Sequence, residues 1–288
     1  MKIIFLILFF ISSLSAYNTL FFDSNVSNGK TIFVEFKKEK DVAYEKITLD
    51  KESYKVFNNP VDAEKMYALV PVSYYEKPSS KKIEVYYKEK DSHLTKSMFI
   101  NIEDGKYEKE KIEVTKSKVN PNKEDAKIAE QEYQEAMKIY NSTTAQSYIK
   151  SEFIFPMDSI ITSDFGKARV YNNSLQGYHG GTDFRAKVGT PIYASNDGVV
   201  VLAKERFYSG GTVIIDHGQG IYTCYFHMSK FDVVCGQKVE KSAQIGFSGE
   251  SGRVSGPHLH FATRVGGVQV DPLQLISLLN KNLFKGIK

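Results

Sequence analysis

Hydrophobic and polar positions change their rhythm three times along this chain. From residue 17 to about 112, short runs of β-branched and aromatic residues alternate imperfectly with polar ones: Thr31-Ile32-Phe33-Val34-Glu35-Phe36, Tyr67-Ala68-Leu69-Val70-Pro71-Val72 and Lys82-Ile83-Glu84-Val85-Tyr86-Tyr87. Asn-Gly, Asn-Asn-Pro and Pro-Ser-Ser turn signals separate them, which predicts a small β sandwich or a meander. Residues 113–123 are rich in Lys, Ser and Asn and hold Pro121, the composition of a linker. Glu124 to about Tyr140 then follows the helical period, with Ile128, Tyr133, Ala136, Ile139 and Tyr140 as one stripe.

From residue 151 the two-residue period returns with tight glycine turns. Pro191–Ala194, Gly198–Ala203, Thr212–Ile215 and Ile221–His227 read as strands, and Leu273–Phe284 has helical spacing that caps the region. The predicted class is mainly β, α+β overall. Its parts are a small amino-terminal β domain (17–112) with a docking or regulatory role, a linker and helix (113–150), and a carboxy-terminal antiparallel β-sheet domain with a final helix (151–288).

The first residues obey neither period. Lys2, the apolar run Ile3–Ile11 and the small-residue exit Ser12–Ala16 have the layout of a secretory signal peptide over residues 1–16. Nine apolar residues fall short of the roughly 20 that a membrane span needs, so the expected product is a protein exported to the periplasm with no span after cleavage.

Composition adds modest constraints. Apolar residues make up 42% of the 288 and charged residues 25%, an ordinary globular balance. A net charge of +4 gives no reason to expect a nucleic-acid partner. The charge is distributed unevenly. All five arginines lie after residue 150, and residues 17–150 carry 23 lysines against 23 acids, with no cysteine and the single histidine His93. That is poor material for a catalytic site. Two cysteines exclude a disulfide-built scaffold or a four-cysteine zinc module.

Candidate chemistry therefore sits in the second half, where five of six histidines fall between residues 179 and 260. They occur as His179-Gly-Gly-Thr-Asp183, as His217 and Tyr-Phe-His227-Met-Ser, and as Gly-Pro-His258-Leu-His260-Phe. On a strand, His258 and His260 project to one face while Leu259 goes to the core. Two adjacent imidazoles on one face are a poor structural arrangement unless something binds them, and a metal does so. Two histidines and one aspartate leave a coordination position open, the arrangement of a catalytic zinc. Each signal has a bland alternative in solvent-facing or hydrogen-bonded histidines. Their conjunction in one β region is the stronger argument.

These motifs resemble the lysostaphin/LytM-type zinc peptidases. The likeness runs over about 120 residues, from Ser163-Asp-Phe-Gly166 to Val270-Asp-Pro272, and includes Gly189–Ala194, Val213–Gly218 and Gly246–Gly249. It implies one Zn²⁺ per chain on His179, Asp183 and His260, with His227 and His258 as catalytic histidines that are not ligands. One of the pair would activate water and the other steady the oxyanion. Tyr171 and Tyr178 are looser candidates for an oxyanion contact, and His217 reads as structural.

The implied reaction is hydrolysis of peptidoglycan stem peptides. For a periplasmic enzyme that means the D-Ala–diaminopimelate crosslink, with D,D-carboxypeptidase action as a further activity, in wall remodelling and cell-shape control. Wall-enzyme or shape-complex proteins are the implied partners, and residues 17–150 are expected to restrain the enzyme by covering its groove. The alternatives are a non-catalytic activator of a wall amidase and a peptidase of glycine-rich bridges. A Cys224–Cys235 disulfide is expected from the compartment. Cys224, three residues before His227, is expected on the opposite strand face.

Overall fold

The computed structural model describes residues 20–112, 122–171 and 174–284. The signal-peptide reading and nearly all of the linker reading fall outside these residues. The chain is mostly strand, with antiparallel pairing dominant, in keeping with the predicted class.

The amino-terminal half is a sandwich. One sheet joins Leu20–Phe21 (β1), Thr31–Lys37 (β3), Lys65–Pro71 (β7) and Phe57–Asn58 (β6). The other joins Asn25–Ser27 (β2), Ser92–Glu103 (β9), Ser79–Glu89 (β8), Val42–Leu49 (β4) and Glu52–Lys55 (β5). Alternate residues of β3 explain why it forms the centre. Ile32, Val34 and Phe36 point into the sandwich with Ile47, Val70, Ile83 and Ile100. Phe33 points the other way and is equally buried. Such a strand, covered on both faces, reads as a nearly continuous apolar run.

What covers the outer face is the other half of the chain. Phe33, Phe57, Tyr67 and Leu69 share one core with Ile149, Phe153, Leu275 and Leu279. Polar contacts reinforce the junction: Tyr67 Oη donates to Gln219 Oε1 at 2.6 Å, and Gln274 bridges the Thr31 backbone, accepting at 3.0 Å and donating at 2.9 Å. The sandwich is thus packed onto the second half through a shared core.

That second half is built on a ten-stranded sheet. Its main path runs through Ile161–Ser163 (β11), Thr182–Arg185 (β14), His258–Val265 (β21), Ile221–Phe231 (β18), Gly210–Asp216 (β17), Gly198–Arg206 (β16) and Lys238–Val239 (β19). Pro191–Tyr193 (β15), Gln244–Ser248 (β20) and Val268–Val270 (β22) pair alongside. A smaller sheet unites the halves: Lys109–Ile112 (β10) lies parallel to Ala168–Tyr171 (β12), which pairs with Ser174–Tyr178 (β13).

Two helices complete the described structure. Helix α1 (Lys123–Tyr140) starts where the Asn122 side chain accepts the Asp125 N–H at 2.9 Å. Helix α2 (Pro272–Leu283) starts at Asp271, which caps Leu273 and Gln274, with proline at its first position. Helix α1 departs from the expected single stripe. Ala136 and Tyr140 are buried against Cys224 and Ala262, whereas Ile128 and Tyr133 are 40% and 52% exposed. Ala129, Glu132 and Tyr133 in its middle turns, with Ala136 and Tyr140, line a pocket against the sheet.

Candidate metal centre

Strand pairing builds the site. Strands β14 and β21 are antiparallel with Asp183 opposite His260 and Phe184 opposite Leu259. Directly opposed residues share a face, so the alternation that buries Phe184 and Leu259 in the core sends Asp183, His258 and His260 to the outer face. Gly181 permits the close approach of these strands. A Cβ there would run into the Phe261 carbonyl and lie 2.7 Å from His260 Nε2.

His179, in the turn between β13 and β14, completes the set. Its Nδ1 lies 2.8 Å from the Asp164 carbonyl oxygen. A carbonyl only accepts, so Nδ1 carries the proton and Nε2 of the neutral ring presents a lone pair. That Nε2 sits 2.9 Å from Asp183 Oδ1 and 2.9 Å from His260 Nδ1, and the latter two atoms are 2.7 Å apart. The three ligand atoms converge within 4.8 Å of one another, the residues being buried or nearly so. Too few protons are available to turn all three contacts into hydrogen bonds, so a shared cation fits this donor set. An outer carbonyl fixing the tautomer of a ligating histidine is the usual support for such a centre. Burial pushes the Asp183 carboxyl upward, but the adjoining His179 and His260 imidazoles outweigh it and hold the group well below the usual carboxylate range.

Two further histidines flank the cluster. His258 Nε2 is 3.7 Å from Asp183 Oδ1, and its Nδ1 donates to the Gly256 carbonyl at 2.9 Å. The His227 ring centroid is 5.0 Å from that of His258 and 6.0 Å from that of His260, with its Nδ1 donating to the Ser251 carbonyl at 2.8 Å. Both rings therefore keep Nε2 as an unprotonated acceptor when neutral. Burial, with the charges of His260 and His258 adding to it, pushes His227 down to about 3, so it is neutral at physiological pH.

His227 reaches this face through a β-bulge that corrects the expectation for Cys224. Between Tyr225 and Met228 the register against β17 shifts, and His227 has φ of 61°. The extra residue brings His227 to the same face as Cys224 and Phe226 instead of the opposite one. Cys224 lies beyond Phe226 on that face, under α1, with its Sγ 3.4 Å from Tyr140 Oη. The expected disulfide is also corrected. Both cysteines are free: Cys224 is buried in the sheet, and exposed Cys235 lies past its end, in contact with the Val201 carbonyl.

His217 is fully buried, its Nδ1 donating to the Asp197 carbonyl at 2.7 Å and its Nε2 accepting from Thr223 at 2.8 Å. His93 is exposed beside Glu45. The Tyr171 side chain lies outside the described residues. Tyr178, next to His179, stacks face to face on Tyr74 of the sandwich at 3.8 Å, with Phe165 at its edge. Burial raises the Tyr178 phenol to about 12, which keeps it protonated. Sequence reading missed Tyr74 and the carbonyls of Asp164 and Ser251. Backbone acceptors leave no residue signal, and Tyr74 lies about 100 positions from its partner.

Residues 177–272 match peptidase family M23. The chain is 43% identical over 123 residues to the peptidoglycan DD-endopeptidase ShyA of Vibrio cholerae, a stretch covering 42% of this chain and 29% of that protein. It is 40% identical over 97 residues to the DD-carboxypeptidase/endopeptidase Mpg of Neisseria meningitidis, covering 34% and 22% respectively. The matched stretches thus span less than a third of these curated relatives. A crystallised Pseudomonas aeruginosa protein assigned to peptidase M23 superposes with a TM-score of 0.65 at 25% identity, over 85% of this chain and 93% of that one. That superposition extends well beyond the matched 96 residues into the sandwich. The outer-face centre of the ten-stranded sheet therefore lies in a peptidase family M23 domain, carried by the carboxy-terminal half of this chain.

Proposed function

We propose that the protein is an exported, zinc-dependent peptidoglycan hydrolase that cleaves the D-Ala–diaminopimelate crosslink. The observation that carries this reading is the convergence of His179 Nε2, Asp183 Oδ1 and His260 Nδ1 beside two non-converging imidazoles. The relatives named as DD-endopeptidases supply the substrate class. No described helix is long and apolar enough to cross a membrane.

His179, Asp183 and His260 would hold the zinc. When bound, it polarises the scissile carbonyl and brings a water pKa down to about 7. The chain's own groups do the rest. His227 and His258 each spend Nδ1–H on a backbone carbonyl, which fixes the ring and leaves Nε2 to accept a proton from the attacking water. The imidazolium so formed passes that proton on to the departing amine, and the second ring, when protonated from solvent, steadies the negative charge on the carbonyl oxygen. The Tyr178 phenol, held protonated by burial, is a further donor on the His179 side. We assign the sandwich a structural share in the site, since Tyr74 pins Tyr178 and β10 extends the hairpin leading to His179.

The test is mass spectrometry of muropeptides after incubating Gram-negative sacculi with the mature protein, with and without chelator and beside His260→Ala, together with elemental analysis of bound metal. Loss of crosslinked dimers that requires zinc and His260 supports the reading. Unchanged dimers with a zinc-loaded protein overturn it.

A further inference from the structure

A pocket of about 200 Å³ lies beside the metal centre, between α1 and the outer face of β18 and β21. Buried Cys224 and Ala262 floor it, and Arg206 and Arg264 line it. Three contacts couple it to the centre. The Phe226 ring on its wall is 5.4 Å from the His260 ring. Ser209 accepts the His227 N–H at 2.9 Å, and Gln269 donates to the Gly180 carbonyl beside His179. Arg264 follows His260 by four residues on the same face of β21, which places its Cα about 13 Å away at roughly 3.3 Å per residue.

The two arginines are under-supplied with acceptors. Arg206 has a side chain nine-tenths buried, and its Nε has no hydrogen-bond partner. Its Nη2 donates to the Glu132 backbone carbonyl, while the Glu132 carboxylate stands 3.9 Å from Nε and is engaged by the Phe207 N–H. Arg264 donates to the Gly267 carbonyl and the Gln269 amide and lies 4.4 Å over the Tyr140 ring, with no carboxylate partner among the described residues. A buried guanidinium N–H left unpaired is costly, and a carboxylate matches its planar fork. At about 30 Å³ per water-sized group, the space holds about seven such groups, the bulk of one side chain. The apolar floor suits an aliphatic arm.

We propose that this pocket binds the free carboxylate at the end of a substrate side chain one residue from the scissile bond. Resting on the function proposed above, that group is the free carboxylate of the diaminopimelate preceding the scissile D-alanine. The pocket then sets specificity for acidic over amidated stem peptides.

The experiment compares two purified crosslinked muropeptide dimers, one with free diaminopimelate carboxylates and one with them amidated, as substrates of the zinc-loaded mature protein. The expected wild-type preference for the acid is at least tenfold in kcat/KM, carried by KM. Arg264→Gln should bring that ratio close to one, and Arg264→Lys should restore part of it. Ala129→Phe fills the pocket from α1 without removing a charge, and should also collapse the ratio. It decides the matter if thermal melting shows Arg264→Gln to be misfolded. Equal cleavage of both dimers by wild type, or a ratio unmoved by these substitutions, overturns the pocket assignment and leaves the peptidase reading standing. Cleavage of neither dimer overturns both.

Discussion

Each half of the molecule sets a histidine against a carboxylate. In the sandwich, His93 Nδ1 is 3.1 Å from Glu45 Oε1, with side chains 71% and 42% exposed. On the outer face of the ten-stranded sheet, His260 Nδ1 is 2.7 Å from Asp183 Oδ1, at 13% and 10%. The distances are close, and the surroundings differ. Water competes for the first pair and salt screens it. The second pair is largely removed from water, so its polar atoms must be satisfied by one another or by a cation. His179 adds a third converging donor to it, whereas His93 belongs to no such cluster among the described residues. Proximity of histidine and carboxylate is thus weak evidence of chemistry. Burial combined with convergence is what separates a metal centre from a surface contact.

The sharpest way to break this comparison is substitution on each side. Asp183→Asn or His260→Ala should abolish dimer cleavage and bound metal together, measured by muropeptide analysis and elemental analysis. His93→Ala should leave both intact and shift stability by no more than about 0.5 kcal/mol. Next in size, His227→Ala should retain the metal while slowing cleavage by roughly 10²- to 10⁴-fold, the usual worth of a positioned acid–base group. Retention of full activity would remove His227 from the mechanism.

The junction between the halves gives the third test. Tyr67 is fully buried in the shared core and hydrogen-bonded to Gln219. Tyr67→Ala should cost about 3–5 kcal/mol in denaturant unfolding, and residues 151–288 alone should expose an apolar face and aggregate. A soluble, fully stable fragment would show that the halves are independent.

A fourth effect contrasts buried His217 with exposed His93. Burial pushes His217 from its ordinary 6.5 down to about 4. The unfolded chain therefore binds the proton first as pH falls. Stability from this group is complete above pH 6.5 and is lost progressively towards pH 4, by on the order of 3 kcal/mol. His217→Gln should flatten unfolding free energy across that window. The smallest effect concerns the thiols. Reductant should not move the melting temperature, and a thiol reagent should label Cys235 and spare Cys224 in the folded protein.

Much of the fold was legible because strand and helix periods were strong. The apolar runs at Thr31, Tyr67 and Lys82 lie in strands, and the segments from Glu124 and Leu273 lie in helices. The co-facing of His258 and His260 was legible for the same reason, since a regular strand alternates. Legibility failed where regularity did. The bulge at His227 reversed the face expected from counting residues back to Cys224. The α1 stripe failed at Ile128 and Tyr133, which stay exposed, because only Ala136 and Tyr140 are buried against the sheet, and Tyr133 borders a pocket instead.

The sequence by itself determined which residue types could form a metal centre, and which strand carried two of them, because both follow from composition and a two-residue period. Only the tertiary structure decided that His179 Nε2 meets Asp183 and His260, that Tyr74 braces Tyr178, and that two arginines share a pocket beside the centre. Apart from His179 and Asp183, four positions apart, those contacts join residues tens to about a hundred positions apart. Strand register, a bulge and a shared core bring them together, and no local pattern encodes that pairing.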